Sequence, residues 1–235
     1  MKKISIIIPT RNEEKSIAKV LRSIPKEVKK ISEIIVVDSS EDKTPIIAKK
    51  LGAKVVKAEK KGKGYAMRLG AEIAKGDTLI FLDGDCTDPP EYIPKILEKI
   101  KDYDMILCSK NPFDKNSEKR YKIIYSWYIP FVRSLFRLAG FKIKYHPLTG
   151  YRAIKKDAWK KINPTSNDFL IETEINLRAA ELNLRVSEIP VPILKRGGGF
   201  FSSKLVRNPR QLIRIFTYIF KYILRKWFTK KGISS

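Results

Sequence analysis

With 235 residues, the chain has room for one sizeable domain or for a domain with a small appendage. Its composition, 43% hydrophobic and 31% charged, excludes a disordered chain, a collagen-like chain and a polytopic membrane protein. The net charge is the outlier: 49 Lys and Arg against 25 Asp and Glu leave +24, so a polyanionic partner is expected, whether nucleic acid, anionic lipid or a phosphorylated substrate.

In chain order, Met1-Lys2-Lys3 leads into an apolar run at 4–8 that stops at Pro9, a strand rather than a secretory core. A helix is expected over 16–24, a second strand over 33–37, a helix over 44–51 and a short strand over 54–56. Residues 64–74 read as a helix, 78–82 as a strand of fully buried type, 91–100 as a helix and 104–108 as a strand. Strand–helix alternation with continuous apolar strands predicts an α/β fold, a mostly parallel sheet covered on both faces. Cys86 and Cys108 are too few for a disulfide scaffold or a zinc site, which makes a reducing compartment the default. The single histidine, His146, excludes any mechanism or metal site that needs two.

The second half of the chain is different in kind. Residues 119–156 hold ten Lys or Arg and no acid, and residues 189–235 hold eleven more, again with no acid; together these account for 21 of the +24 and leave only +3 elsewhere. Two acid-free blocks point to a dedicated anion-facing surface. Residues 121–141, with Tyr125, Trp127, Tyr128 and Pro130, read as a broken interfacial helix. From 207 to 228, Arg207, Arg210, Arg214, Lys221 and Arg225 fall in one narrow helical arc while Ile, Leu, Phe and Trp fill the remainder, the pattern of a helix lying in a membrane surface, or else of a core helix or a dimer face. The longest uncharged stretch in the aromatic segments, 123–132, is about half what a bilayer-spanning helix needs. A soluble or peripheral protein is expected. Gly197-Gly198-Gly199 reads as a mobile loop or as a phosphate cradle, between which the glycines alone do not choose.

In a parallel sheet, ligands bind beyond the carboxyl ends of the strands. Here those ends carry Asn12, Glu13 and Glu14, then Asp38, then Asp83 and Asp85, an unusual concentration of acid and amide groups. Asp83-Gly84-Asp85 could turn two carboxylates to one side and share a hard divalent cation, or could be a plain Asp-Gly turn. Asp38 could equally cap a helix.

Taken together, Pro9-Thr10-Arg11-Asn12-Glu13-Glu14, Val36-Val37-Asp38-Ser39-Ser40 and Leu82-Asp83-Gly84-Asp85 with Pro89-Pro90-Glu91 resemble glycosyltransferase family 2, and within it the dolichyl-phosphate mannose synthase and glucosyltransferase group. The resemblance extends through His146-Pro147-Leu148-Thr149-Gly150-Tyr151-Arg152, residues 168–175, Glu188-Ile189-Pro190, Lys195-Arg196 and Ser203-Lys204-Leu205. It implies a GT-A (Rossmann-like) domain over 1–206, with a basic aromatic segment at 119–145; the charge pattern beyond it adds an expected C-terminal amphipathic membrane-surface helix at 207–235. Pro9, Asn12, Glu13 and Asp38 would hold the donor nucleoside; Asp83 and Asp85 would bind the ribose–diphosphate region and Mg²⁺ or Mn²⁺. Ser39, Thr87 and His146 depart from residues that relatives often carry there.

The reaction implied is attack on an anomeric carbon with inversion and departure of a nucleoside diphosphate. A hydroxyl acceptor needs a carboxylate base, for which Asp168, Glu172 and Glu174 are candidates. A phosphate acceptor is already largely dianionic at neutral pH and needs cations instead. Arg120, Arg133, Arg152, Arg196 and Lys204 are expected to supply them, with Asp85, Arg152, Arg196 and Glu172 as the catalytic group. The expected function is transfer of mannose or glucose from a GDP- or UDP-hexose to dolichyl or polyprenyl phosphate, peripherally, on the cytoplasmic face of a membrane. A membrane-protein partner is left open, and nucleic acid is not expected. The alternatives are a family 2 enzyme acting on a hydroxyl of a lipid or soluble glycan, and a basic nucleic-acid-binding protein.

Overall fold

Runs of Ile and Val, stiff at χ1 and suited to a pleated surface, build the centre of the molecule. The computed structural model describes residues 3–117, 119–144, 146–195 and 209–230. Its strands are β1 (Ile4–Thr10), β2 (Ser32–Asp38), β3 (Lys54–Lys57), β4 (Thr78–Phe81), β5 (Met105–Asn111), β6 (Arg152–Lys155) and β7 (Val186–Pro192). Ile4, Ile6, Ile7 and Ile8 of β1 are all buried, so both faces of that strand are covered. The described helices are α1 (Ile17–Ser23), α2 (Lys26–Ile31), α3 (Thr44–Lys50), α4 (Lys63–Ile73), α5 (Ile93–Lys99), α6 (Lys119–Leu138), α7 (Lys156–Ile162), α8 (Leu170–Glu181) and α9 (Pro209–Lys230).

The strands form one sheet in the order β3-β2-β1-β4-β6-β5-β7. All pairings are parallel except those of β6, which runs antiparallel to both β4 and β5. That reversal positions the site: the segment entering β6 arrives at the carboxyl end of β4, with Arg152 paired to Phe81. Helices cover both faces. On one, Val20 and Leu21 of α1, Val28 of α2, Ala48 of α3 and Ile93 and Ile96 of α5 close a core over the sheet. On the other lie Met67 and Ala71 of α4, Phe136 of α6, Trp159 of α7, Ile175 of α8, and Ile215, Ile219 and Tyr222 of α9.

Two features differ from the sequence reading. The broken helix expected over 121–141 is one continuous helix, α6, that passes through Pro130; Ile129, Val132 and Phe136 bury against the body and hold it across the missing backbone donor. The C-terminal helix does not stand off as an appendage, because one of its faces completes the second core. Two cations of its arc are tied inward as well, Arg214 to Asp168 and Arg225 to Glu181 at 3.5 Å. No helix among the described residues is long and apolar enough to cross a membrane.

Candidate active site

The carboxyl ends of β1 and β2 are locked together side by side. Thr10 pairs with Asp38 in register, and the Thr10 hydroxyl donates to Asp38 Oδ1 at 2.6 Å. Asp38 also accepts from the Ser40 amide at 3.1 Å and the Ser40 hydroxyl at 2.6 Å, so its buried carboxylate organises the turn that follows it. Asn12 takes a left-handed conformation (φ 56°), tolerable for its short polar side chain, and its Oδ1 accepts from the Glu41 amide at 2.9 Å. The Glu13 amide donates to Thr44 Oγ1 at 2.8 Å while the Glu13 carboxylate accepts from Ser16 Oγ at 3.0 Å. Pro9, Asn12, Glu13 and Asp38 therefore lie on one rim, as the strand ends require.

Gly84 packs on Thr10, where an added Cβ would come within 2.9 Å of the methyl, and this brings Asp83 and Asp85 to the same rim. Asp85 is buried and accepts from the Thr87 amide at 3.0 Å and hydroxyl at 2.7 Å. Asp88 lies beneath, its Oδ2 accepting from the Asp83 amide at 3.0 Å and its Oδ1 3.3 Å from Lys110. Burial pushes the Asp88 carboxyl up to about 6; Lys110 opposes this, and the charges of Asp83 and Asp85 add to it. Asp83 and Asp85 offer hard oxygen donors on one turn in a locally acid-rich setting, which suits a Mg²⁺- or Mn²⁺-type ion shared with a diphosphate. No cluster of three or more Asp, Glu, His or Cys able to hold an ion by itself exists among the described residues, so ligand oxygens would have to complete the shell.

The residue that sequence reasoning missed is Lys63, the first residue of α4. Its Nζ lies 2.6 Å from Asp83 Oδ1 and 2.6 Å from Glu172 Oε1, bridging β4 to the first turn of α8. Burial alone would lower the ammonium; Asp83 and then Glu172 overturn that and hold it above the usual lysine range. Two close approaches make the bridge. The Gly62-Lys63-Gly64 turn docks on 166–168, where a Cβ on Gly64 would fall 2.2 Å from the Ser166 carbonyl oxygen. At Gly150, delivered by the antiparallel entry to β6, a Cβ would fall 2.3 Å from Lys63 Nζ. The Gly-Lys-Gly triplet just beyond β3 was the available signal.

Arg152 needs a correction. Expected as an acceptor-facing cation, it is fully buried at 0% exposure, flanked in the sheet by Phe81 and Leu107. Its guanidinium donates to the carbonyl oxygens of Thr149 and Glu172 and, at 3.1 Å, to Asn176 Oδ1. It braces the floor of the site. His146 is also buried: burial, with Lys110 adding, pushes its imidazole down to about 3. Of the three candidate bases, only Glu172 joins the Asp83 group. Asp168 pairs with Arg214, and Glu174 accepts from the Thr165 and Ser166 amides at 2.9 and 2.8 Å. Arg133 lies elsewhere, donating to the Lys144 carbonyl at 2.6 Å beside the far edge of the sheet. Arg196, Lys204 and the glycine run at 197–199 lie outside the described residues, as does the Arg120 side chain.

Comparisons with known proteins bear on this arrangement. The model of glycosyl transferase family 2 matches residues 5–162, which include the Asp38, Lys63, Asp83 and Asp85 positions. A dolichyl-phosphate hexose transferase of Haloferax volcanii is 32% identical over 196 residues, covering 83% of this chain and 84% of that protein. A dolichol-phosphate mannosyltransferase of Pyrococcus furiosus is 30% identical over 245 residues, covering 96% of this chain; the chain spans 64% of that relative's length. Among solved structures, glucosyl-3-phosphoglycerate synthase from Mycobacterium tuberculosis, in complex with Mg²⁺ and UDP, superposes with a TM-score of 0.71 at 20% identity, over 100% of this chain and 81% of that one. This last likeness speaks to the fold, which is the GT-A arrangement.

Proposed function

The chain belongs to glycosyltransferase family 2, and we propose that it transfers a hexose, with inversion, from a nucleoside-diphosphate donor to dolichyl or polyprenyl phosphate at a membrane surface. The observation that carries the acceptor half of this reading is the bridge from Lys63 to both Asp83 and Glu172 at 2.6 Å. Glu172 is the one candidate base beside the strand-end acids, and its carboxylate is committed to an ammonium rather than offered to an acceptor hydroxyl. A phosphate monoester, already largely dianionic at pH 7, needs no base and fits such a centre. Two relatives, 32% and 30% identical, are named for dolichyl-phosphate or dolichol-phosphate transfer, which supports the same choice.

On this reading Pro9, Asn12, Glu13 and Asp38 line the nucleoside rim, and Asp83 and Asp85 hold the divalent cation. When bound, that cation supplies Lewis-acid stabilisation of the departing diphosphate. Lys63 fixes the Asp83 carboxylate and places a positive charge where the diphosphate must lie. Arg152 holds the Thr149 and Glu172 backbone, so the floor under the donor stays rigid while the acceptor approaches. Arg196 and Lys204 remain the proposed acceptor cations, and the face shared by α6 and α9 the proposed membrane side.

The test is transfer from a panel of GDP- and UDP-hexoses to polyprenyl phosphate and to the matching dephosphorylated alcohol, with Mn²⁺ or with EDTA. Transfer to the phosphate alone, lost in EDTA and in Asp85→Ala, is expected. Equal transfer to the alcohol would move the assignment to a hydroxyl acceptor, and full turnover in EDTA would remove the metal role from Asp83 and Asp85.

A further inference from the structure

Among the described residues, ion pairs join α9 to both ends of α8. At the far end, Arg225 lies 3.5 Å from Glu181, the last residue of α8. At the near end, Arg214 pairs with Asp168, two residues before α8 begins. Both oxygens of that carboxylate are engaged: Oδ1 accepts from the Leu170 amide at 2.9 Å, and Oδ2 accepts from Arg214. The backbone at 166–168 is the ledge on which α4 starts. The Tyr65 amide donates to the Asn167 carbonyl at 3.0 Å, and the Arg68 guanidinium donates to Asn167 Oδ1. Gly62 and Gly64 press so close that a Cβ on either would fall 2.2 Å from a carbonyl oxygen of this ledge. Lys63 leaves from between them to reach Asp83 and Glu172, both at 2.6 Å.

We propose that Arg214 is a positioning residue: through Asp168 it sets the ledge that seats the Gly62-Lys63-Gly64 turn, and so ties the C-terminal helix to the charge that fixes Asp83. The inference rests on the reading of Asp83 as a donor-site ligand. Packing gives the pair its leverage. Glycines in contact with carbonyl oxygens leave no slack, so a ledge that shifts must carry the turn and Lys63 with it. The pair itself is modest in strength. The Arg214 side chain is 59% exposed and that of Asp168 19%, and pairs of this kind change an equilibrium by about fivefold at most. Ile215 and Ile219 hold α9 in the second core without it, and the Tyr222 hydroxyl donates to the Leu177 carbonyl at 3.2 Å. Its loss should therefore be felt at the ledge rather than in the stability of the whole. The Arg225–Glu181 pair joins the same two helices about 17 Å along α8 from Leu170, remote from the ledge.

The experiment compares Arg214→Gln, Arg214→Glu and Arg214→Lys with Arg225→Gln, in the full chain and without membranes. Hydrogen exchange is followed over 62–68, where the Tyr65 amide reports the ledge, and Mn²⁺-dependent binding of UDP and GDP is measured by calorimetry. Arg214→Gln should speed exchange there about threefold to fivefold and weaken nucleotide binding by a similar factor. Arg214→Glu, repelled by Asp168, should do more, and Arg214→Lys, which keeps the charge, should retain most of both. Arg225→Gln should leave both unchanged, with all four melting temperatures close to that of the unmodified chain. Equal acceleration in Arg214→Gln and Arg225→Gln would reduce the pair to general docking of α9 and overturn the proposal. Unchanged exchange over 62–68 in Arg214→Glu would overturn it whatever the nucleotide data. An unmodified chain that binds neither nucleotide would overturn the donor-site reading, while the exchange measurement decides the linkage by itself.

Discussion

Removing the Lys63 ammonium would leave the Asp83 and Glu172 carboxylates facing each other, with side chains only 23% and 10% exposed. Deleting one partner of a buried pair costs about 3–5 kcal/mol, and the partial exposure of Asp83 puts this case at the low end. Lys63→Met should therefore lower stability by about 3 kcal/mol and cut turnover further, because Asp83 loses its anchor. Lys63→Arg should not rescue it, since the wall at Gly150 leaves room for an ammonium and not for a planar fork. Denaturant unfolding of Lys63→Met, Glu172→Gln and the double variant measures the coupling; a value near zero would remove the bridge from the account. His146 gives a pH prediction. Folded, its imidazole titrates at about 3; unfolded, near 6.5, so the unfolded chain binds the extra proton as pH falls below 6.5. Stability should fall across that window by up to about 1.4 kcal/mol per pH unit and be unaffected above it. His146→Gln should flatten the acid limb of the stability profile, and an unchanged limb would contradict the buried neutral imidazole. At this scale the grouping of the candidate-site acids was legible, because parallel strands that end in register bring their last residues to one rim. Lys63 and Arg152 were not: one bridges partners 20 and 109 positions away, and the other looks like any cation of a basic block until an antiparallel strand buries it.

The elements that could be read from sequence were those that a single local pattern specifies. β1, β2 and β4 are apolar runs buried on both faces, and α4 carries an apolar stripe at helical spacing. α2 escaped because only Val28 of its six residues is buried, too little to make a period. β6 is four residues with a cation at each end, and β7 contains two prolines, tolerable because it is the edge strand. α9 shows a third kind of difficulty: its pattern fitted both a membrane helix and a core helix, and the helix has one buried face and one exposed apolar face. Ile215, Ile219 and Tyr222 are buried, while Ile213, Phe220, Leu224 and Trp227 are exposed. Neighbouring substitutions should separate the faces. Ile219→Ala is expected to cost about 2–5 kcal/mol by opening a core cavity, whereas Phe220→Ser should stay within about 0.5 kcal/mol in stability. Deleting 207–235 should expose the second core and abolish cooperative unfolding rather than leave a folded domain. A cooperative melt in that truncation, close to that of the full chain, would mean that α9 contributes nothing to the body.

If the protein works at a membrane surface as proposed, the +24 charge and the exposed apolar face of α9 act together, and salt distinguishes their contributions. Ile213, Phe220 and Trp227 recur at seven-residue steps along one exposed line of the helix, and Arg210, Arg214 and Lys221 follow the adjacent line. A purely electrostatic binder, including one for nucleic acid, loses its grip as the screening length drops from about 10 Å at 0.1 M salt to about 3 Å at 1 M. Burial of apolar side chains at the acyl boundary does not follow that length, and at high salt it is the part that remains. Partition onto anionic vesicles should therefore fall steeply with salt and then level off above zero. The triple variant Ile213→Ser, Phe220→Ser, Trp227→Ser should keep the steep part and lose the plateau, with little change in melting temperature because all three side chains face outward. Neutral phosphatidylcholine vesicles should reproduce the plateau alone. Complete loss of vesicle binding at 1 M salt in the unmodified chain, together with equal retention on heparin or DNA at low salt, would show that charge acts without the apolar face. That result would return the basic blocks to a nucleic-acid reading and leave the carboxylates at the strand ends to be explained without a membrane.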